Sequence, residues 1–275
     1  MTHSSTSVCT VGVFDSGVGG LSVLKAIRKE HPSVDFIYLA DSGNAPYGSR
    51  SVEFIENRAS QIADALVSTG AQIIVVACNT ATAVAVEKLR AQLSVPVIAM
   101  EPAIKPAVAH TKTGVIGVLA TERTLESLAV ARLCAEFGQG VKIHLQPCPG
   151  LVELVERGDL SSPCTEALLR KLISPLIAKG ADTLVLGCTH YVFLESMIRS
   201  IVGPSVHIIE SSAAVARQTM HHLALMNNRA LSACEGRELF LTTGIPENAQ
   251  AVFSQLWGAC VEVQAFDHRN THKEV

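Results

Sequence analysis

Short apolar runs alternate along this chain with longer stretches whose apolar positions recur every three or four residues. Ile73-Ile74-Val75-Val76 and Leu184-Val185-Leu186 are runs of the first kind, as expected for strands buried on both faces. Ile55, Ala59, Ile62 and Leu66 mark one helical face ahead of the first run, and Leu168, Leu172 and Leu176 mark another ahead of the second. Gly70 and Gly180 follow these helices where a glycine ends a helix well. The pattern predicts an α/β fold built on mainly parallel sheets flanked by helices.

The same unit occurs twice. From Gly70 the chain reads GAQIIVVACNTAT and from Gly180 it reads GADTLVLGCTHYV, aligned without a gap and 110 residues apart. Gly12-Val13-Phe14-Asp15-Ser16 has a weaker echo in Gly117-Val118-Leu119-Ala120-Thr121. Duplication into two similar lobes is expected, with a site in the cleft between them. The prolines at 96, 102 and 106 mark a first crossing between lobes, and Gly203-Pro204 a second. After it come a strand at His207-Ile208-Ile209, a helix from about Ser212 to Asn227 and a strand from Glu238 to Thr242. A helix from Pro246 to Trp257, a strand from Val261 to Phe266 and a charged tail, Asp267 to Val275, complete the chain.

Composition narrows the function. The chain has 275 residues, 48% hydrophobic, 17% charged and 4% aromatic, which excludes a disordered chain and suits buried parallel strands. A net charge of −3 gives no electrostatic footprint for nucleic acid, so a small molecule is the expected partner. No apolar run is long enough to span a membrane, and the polar start, Met1 to Ser7, lacks the features of a signal peptide. A cytoplasmic protein with reduced thiols is the expectation.

The eight cysteines (Cys9, Cys78, Cys134, Cys148, Cys164, Cys188, Cys234 and Cys260) form no C-x-x-C and no zinc-finger spacing. Buried filler is the ordinary reading for most of them. Cys78 and Cys188 differ, because each ends a buried strand in register with the other and precedes polar residues. A helix starting near Asn79 or Thr80 would lower the Cys78 pKa and make a usable base; Cys188 is read the same way. A redox disulfide is the rival reading, against which a reducing compartment counts.

Ligands of parallel α/β sheets bind beyond the carboxyl ends of the strands. Four segments fall there: Asp15-Ser16-Gly17-Val18-Gly19-Gly20, Asp41-Ser42, Cys78-Asn79-Thr80 and Cys188-Thr189-His190. Their hydroxyl, amide and backbone donors suit a small anionic ligand with carboxylates. The glycine loop lacks G-K-[ST] and has Ser22 where G-x-G-x-x-G needs glycine, so a tight turn or close approach to a carboxylate explains it better. Two thiols facing one ligand from opposite lobes can remove a proton from one face of a carbon acid and return one to the other, inverting a stereocentre.

These motifs, with Pro46-Tyr47-Gly48 and Gly187-Cys188-Thr189-His190-Tyr191, resemble those of the cofactor-independent glutamate racemases over nearly the whole chain. Ile209-Glu210-Ser211-Ser212 is similar to a later Asp-Ser segment of that family, with Glu in place of Asp. The resemblance implies interconversion of L- and D-glutamate for peptidoglycan, with no pyridoxal phosphate, metal or other cofactor. It implies Cys78 and Cys188 as the acid–base pair. It carries substrate contacts to Asp15, Ser16, Tyr47, Gly48, Asn79, Thr80, Thr189 and His190, and supporting acid–base roles to Asp15, Glu156 and His190. It also implies a discontinuous first lobe, residues 1–98 plus 210–275, around a second lobe of residues 99–209.

Plainer roles stay open here. The hydroxyls can cap helices, Tyr47-Gly48 can be only a turn, His190 structural and Glu156 a surface acid; Glu153 and the other nine histidines are expected in solvent. An aspartate or hydantoin racemase with a different pocket, and a non-catalytic two-lobed amino-acid-binding protein, remain the alternatives. The oligomeric state is open, a homodimer among the options.

Overall fold

The computed structural model describes residues 9–226 and 235–266; the tail at 267–275, the start at 1–8, Asn227 and Cys234 lie outside them. The chain begins β1 (Thr10–Asp15), α1 (Leu21–Glu30), β2 (Asp35–Ala40), α2 (Val52–Ser68), β3 (Ile73–Val76), α3 (Asn79–Gln92) and β4 (Val97–Ala99). It continues α4 (Ile104–His110), β5 (Val115–Ala120), α5 (Glu122–Leu125), α6 (Leu128–Phe137), β6 (Lys142–Pro147), α7 (Leu151–Glu156), α8 (Pro163–Ala178), β7 (Thr183–Leu186), α9 (Glu195–Val202) and β8 (His207–Ile209). Last come α10 (Ser212–Met226), β9 (Glu238–Thr242), α11 (Pro246–Trp257) and β10 (Val263–Ala265). The final strand is shorter than expected, losing both residues before Val263 and also Phe266.

Two sheets result, of order β10-β9-β2-β1-β3-β4 and β6-β5-β7-β8, with every pair parallel. The fold is α/β with two lobes. One apolar core cluster runs through both, joining Val18, Leu21 and Leu24 of the first to Leu151, Leu154, Leu186 and Tyr191 of the second. Two further clusters fill the outer faces, one between the first sheet and α2–α3, the other between the second sheet and α4–α6. Among the described residues no helix is long and apolar enough to cross a membrane.

The repeat seen in sequence is repeated in atomic detail. Gly70 and Gly180 have φ of +102° and +88°. Beyond each, the next amide reaches back to a leucine carbonyl, Ala71 N to Leu66 O at 3.0 Å and Ala181 N to Leu176 O at 3.2 Å. Both helices therefore end in the same glycine-dependent stop. Gly12 and Gly117 match as well. A Cβ on Gly12 would meet Leu66 and Ile74, and one on Gly117 would meet Leu176 and Leu184, all at 3.1 Å or less. Each glycine lets the repeat's helix (α2 or α8) and the strand after it (β3 or β7) pack closely against its own strand.

Candidate active site

The carboxyl ends of β1, β3, β5 and β7 open into one small, tight cavity between the lobes. Its lining includes nine of the residues singled out in sequence: Ser16, Tyr47, Gly48, Cys78, Asn79, Thr80, Cys188, Thr189 and His190. Asp15 and Glu156 stand behind this lining. Pro46, Thr121 and Val152 complete it and were not foreseen. Thr121 had a signal, since it is the counterpart of Ser16 in the weaker repeat.

Cys78 sits at the tip of β3 as the N-cap of α3. Its sulfur accepts from Ala81 N at 3.4 Å, and its thiol faces Ser16 Oγ at 3.6 Å. The lowered pKa expected of this position is not found. Burial, and then the nearby Asp15 carboxylate, push the thiol up to about 12. One sulfur-directed N–H bond does not offset removal of a thiolate from water. Burial thus favours the thiol form of Cys78.

Cys188 departs from its counterpart. It is followed by a 3-10 segment, Thr189–Leu194, instead of an α-helix. Its sulfur faces His190 Nδ1 at 3.8 Å, and His190 Nε2 lies 2.7 Å from Glu156 Oε1. Burial draws the His190 pKa down, but its hydrogen bonds to Cys188 and Glu156 outweigh that and raise it well above the ordinary value. The second thiol thus faces an imidazole where the first has a helix terminus.

Asp15 is fully buried. Its carboxylate accepts from Gly17 N at 2.8 Å, Thr189 Oγ1 at 2.9 Å and Ser16 Oγ at 3.3 Å. Burial raises its pKa to about 6 against the pull of His190 and these donors. Both polar atoms of the Asn79 side chain are buried without a protein partner among the described residues. Such atoms are costly unless a ligand engages them. Thr80, Thr121 and Thr124 bring their hydroxyls together across the cleft at 2.9–3.2 Å. Tyr47 donates its hydroxyl to Asp41 at 2.5 Å, which fixes its ring beside the cavity that Tyr47 and Gly48 line.

The glycine loop has a steric purpose. A Cβ on Gly17 would lie 1.8 Å from Glu156 Oε1, and one on Gly19 would lie 2.2 Å from His190 Nδ1. The sequence suggests close approach to a ligand carboxylate; the carboxylate the loop meets here is that of Glu156 in the other lobe. Glu156 Oε1 also accepts from Val18 N at 2.7 Å. Glu156 is therefore no free surface acid.

Other expectations need correction. Glu153 is half-buried in the wall of a neighbouring hollow of about 250 Å³, which shares Pro46, Gly48, Thr121 and Val152 with the site. His31 is buried, with Nε2 unpartnered among the described residues. Cys164 and Cys260 are exposed, so they are not core filler.

Residues 20–219 match the family model described as Asp/Glu/hydantoin racemase. The chain belongs to this family. Among its racemase relatives, the glutamate racemase of Methylococcus capsulatus is 50% identical over 247 residues, covering 90% of this chain and 91% of its own. That of Pseudomonas aeruginosa is 46% identical, covering 90% and 94%. The solved glutamate racemase of Escherichia coli, in complex with L-glutamate and the activator UDP-MurNAc-ala, is 32% identical with a TM-score of 0.84, covering 94% of this chain and 98% of its own. The racemase of Francisella tularensis, solved in complex with D-glutamate, is 27% identical with a TM-score of 0.81 and the same coverage.

Proposed function

We propose that the protein racemises glutamate, with Cys78 and Cys188 as opposed acid and base and with no cofactor. The observation that carries the mechanism is that two buried thiols, one from each lobe, line a single small cavity. The substrate follows from high identity to glutamate racemases over nine-tenths of the chain.

His190 Nδ1 lies 3.8 Å from the Cys188 sulfur, and burial pushes the Cys78 thiol up to about 12. In one direction a Cys188 thiolate would take the α-proton while the Cys78 thiol delivers its own. The family resemblance makes that the L-to-D direction; the return needs the protonation states exchanged. The substrate ammonium, once bound, would stabilise whichever thiolate lies beside it. Asn79, Thr80, Thr189, Ser16 and the Tyr47-Gly48 turn would hold the carboxylates. Asp15 and His190 would orient or exchange protons with Cys78 and Cys188, and Glu156 would hold His190.

D-Glutamate made this way would supply peptidoglycan synthesis, in a cytoplasm that keeps both thiols reduced. A first lobe of residues 1–98 plus 210–275 around a second lobe of residues 99–209 is part of the proposal, supported by the pairing of β9 with β2 in the first sheet. Chiral chromatography of purified, chelator-dialysed protein with single enantiomers of glutamate, aspartate and hydantoins tests the reading. Turnover confined to aspartate or a hydantoin, or none without an added cofactor, would reject it.

A further inference from the structure

The Asp41-Ser42 motif is not used by the chemistry above, yet Asp41 is the most heavily bonded carboxylate near the cavity. It is fully buried at the end of β2. Oδ1 accepts from Arg58 Nη2 at 2.6 Å, Thr243 Oγ1 at 2.7 Å and Asn44 Nδ2 at 3.0 Å. Oδ2 accepts from Tyr47 Oη at 2.5 Å and Arg58 Nε at 3.0 Å. Five donors saturate the roughly four lone-pair sites of a carboxylate, so Asp41 has no capacity left to act as a base.

These donors come from separate parts of the chain. Arg58 lies in α2, Tyr47 in the turn lining the cavity, and Thr243 immediately after β9. Thr243 Oγ1 also accepts from Gly43 N at 3.1 Å, so it grips the turn region twice. The held turn, Tyr47–Ser49, lies against the other lobe: a Cβ added at Gly48 would come within 3.1 Å of Thr121. Arg58 forms a planar, bidentate pair with Asp41, a geometry that lysine cannot reproduce.

We propose that Arg58 and Thr243 are positioning residues for the racemase reaction: through Asp41 they clamp the turn at Tyr47 and Gly48, making its backbone a fixed wall of the substrate cavity. The proposal rests on the racemase reading, since only that reading makes the turn a substrate contact. The C-terminal segment thereby contributes to the site without touching substrate.

Arg58→Ala, Arg58→Lys and Thr243→Val are compared with wild type by steady-state kinetics with each enantiomer and by hydrogen exchange read by mass spectrometry. Arg58→Ala should raise KM about tenfold or more in both directions, leave kcat within about threefold, and leave both limbs of the pH profile in place. Arg58→Lys should fall between Arg58→Ala and wild type. Exchange should rise in residues 43–50 in Arg58→Ala and Thr243→Val, with β1 and β3 unchanged. If Arg58→Ala does not fold, Thr243→Val decides by the same readouts. Unchanged KM with lowered kcat, loss of one pH limb, or unaltered exchange at 43–50 would overturn the proposal. A wild type inert toward both enantiomers would sink the racemase reading, and the exchange data alone would then decide the clamp.

Discussion

Gly17→Ala tests the claim that the glycine loop exists to seat Glu156. The added Cβ would stand 1.8 Å from Glu156 Oε1 and 2.6 Å from its carboxyl carbon, where contacts under 3.0 Å do not persist. The oxygen must retreat by about 1.2 Å, the difference between 1.8 and 3.0 Å. That oxygen makes 2.7 Å bonds to both Val18 N and His190 Nε2, and such a shift breaks both. Hydrogen bonds to a charged group contribute about 1.5–3 kcal/mol each, and the freed carboxylate regains some hydration. A net loss of about 2–3 kcal/mol follows, or roughly 4–12 °C in Tm.

His190 loses its anchor, and misplacement by about 1 Å near a reacting group costs on the order of 100-fold in rate. Because the enantiomers have equal free energy, kcat/KM should fall equally in both directions. Chiral chromatography measures the rates and calorimetry the Tm. Glu156→Asp supplies a second background, in which the shorter acid leaves room for the new methyl group. There Gly17→Ala should cost no more than about threefold. Retention of kcat/KM within about threefold by Gly17→Ala alone, or equal losses in both backgrounds, would refute the reasoning.

Three further outcomes are expected. Asp15 binds its proton more tightly folded than unfolded, with a pKa of about 6 against an ordinary 3.8, so its contribution to stability falls as pH rises through that window. Asp15→Asn should therefore be more stable than wild type above pH 6, by up to about 3 kcal/mol, and no more stable below about pH 4; denaturant titrations across pH check this. Thiol alkylation should modify exposed Cys164 and Cys260 without loss of activity, whereas inactivation should track Cys78 and Cys188 and be slowed by glutamate, as peptide mapping would show. In deuterium oxide, early product should carry α-deuterium while unreacted substrate stays protiated. Residual exchange in Cys78→Ser and Cys188→Ser should favour opposite enantiomers, and NMR detection of the same preference in both would contradict two bases.

The strands, the duplication and the two thiols were legible because period and register leave a mark in the sequence itself. Ile73–Val76 and Leu184–Leu186 can only be buried runs, and Gly70 and Gly180 stop their helices through a backbone conformation that glycine favours. What the sequence hid depends on groups far apart along the chain. The Cys78 pKa is set by burial and Asp15, not by the helix start visible beside it. The imidazole serving Cys188, the carboxylate that fills the space above Gly17 and the Arg58–Asp41–Thr243 clamp all join residues whose order along the chain says nothing of their contact. Thr121 was within reach, because the repeat aligns it with Ser16.

The position of β9 in the sheet also bears on synthesis. β2 pairs with β1 on one side and β9 on the other, and Arg237 binds Asp35 across 202 positions of sequence. At roughly 5–20 residues per second, a ribosome takes about 10–40 s to bridge that interval. Throughout it, the outer edge of DFIYLA, a nearly uncharged strand, has no strand to pair with. Unpaired edges of this kind recruit other chains. A nascent chain therefore needs a chaperone or dilution until β9 docks, and a chain cut after α10 would lack both its edge cover and Thr243. Aggregation and a loosened Tyr47–Gly48 turn would then arrive together from one break, far along the chain from the turn itself.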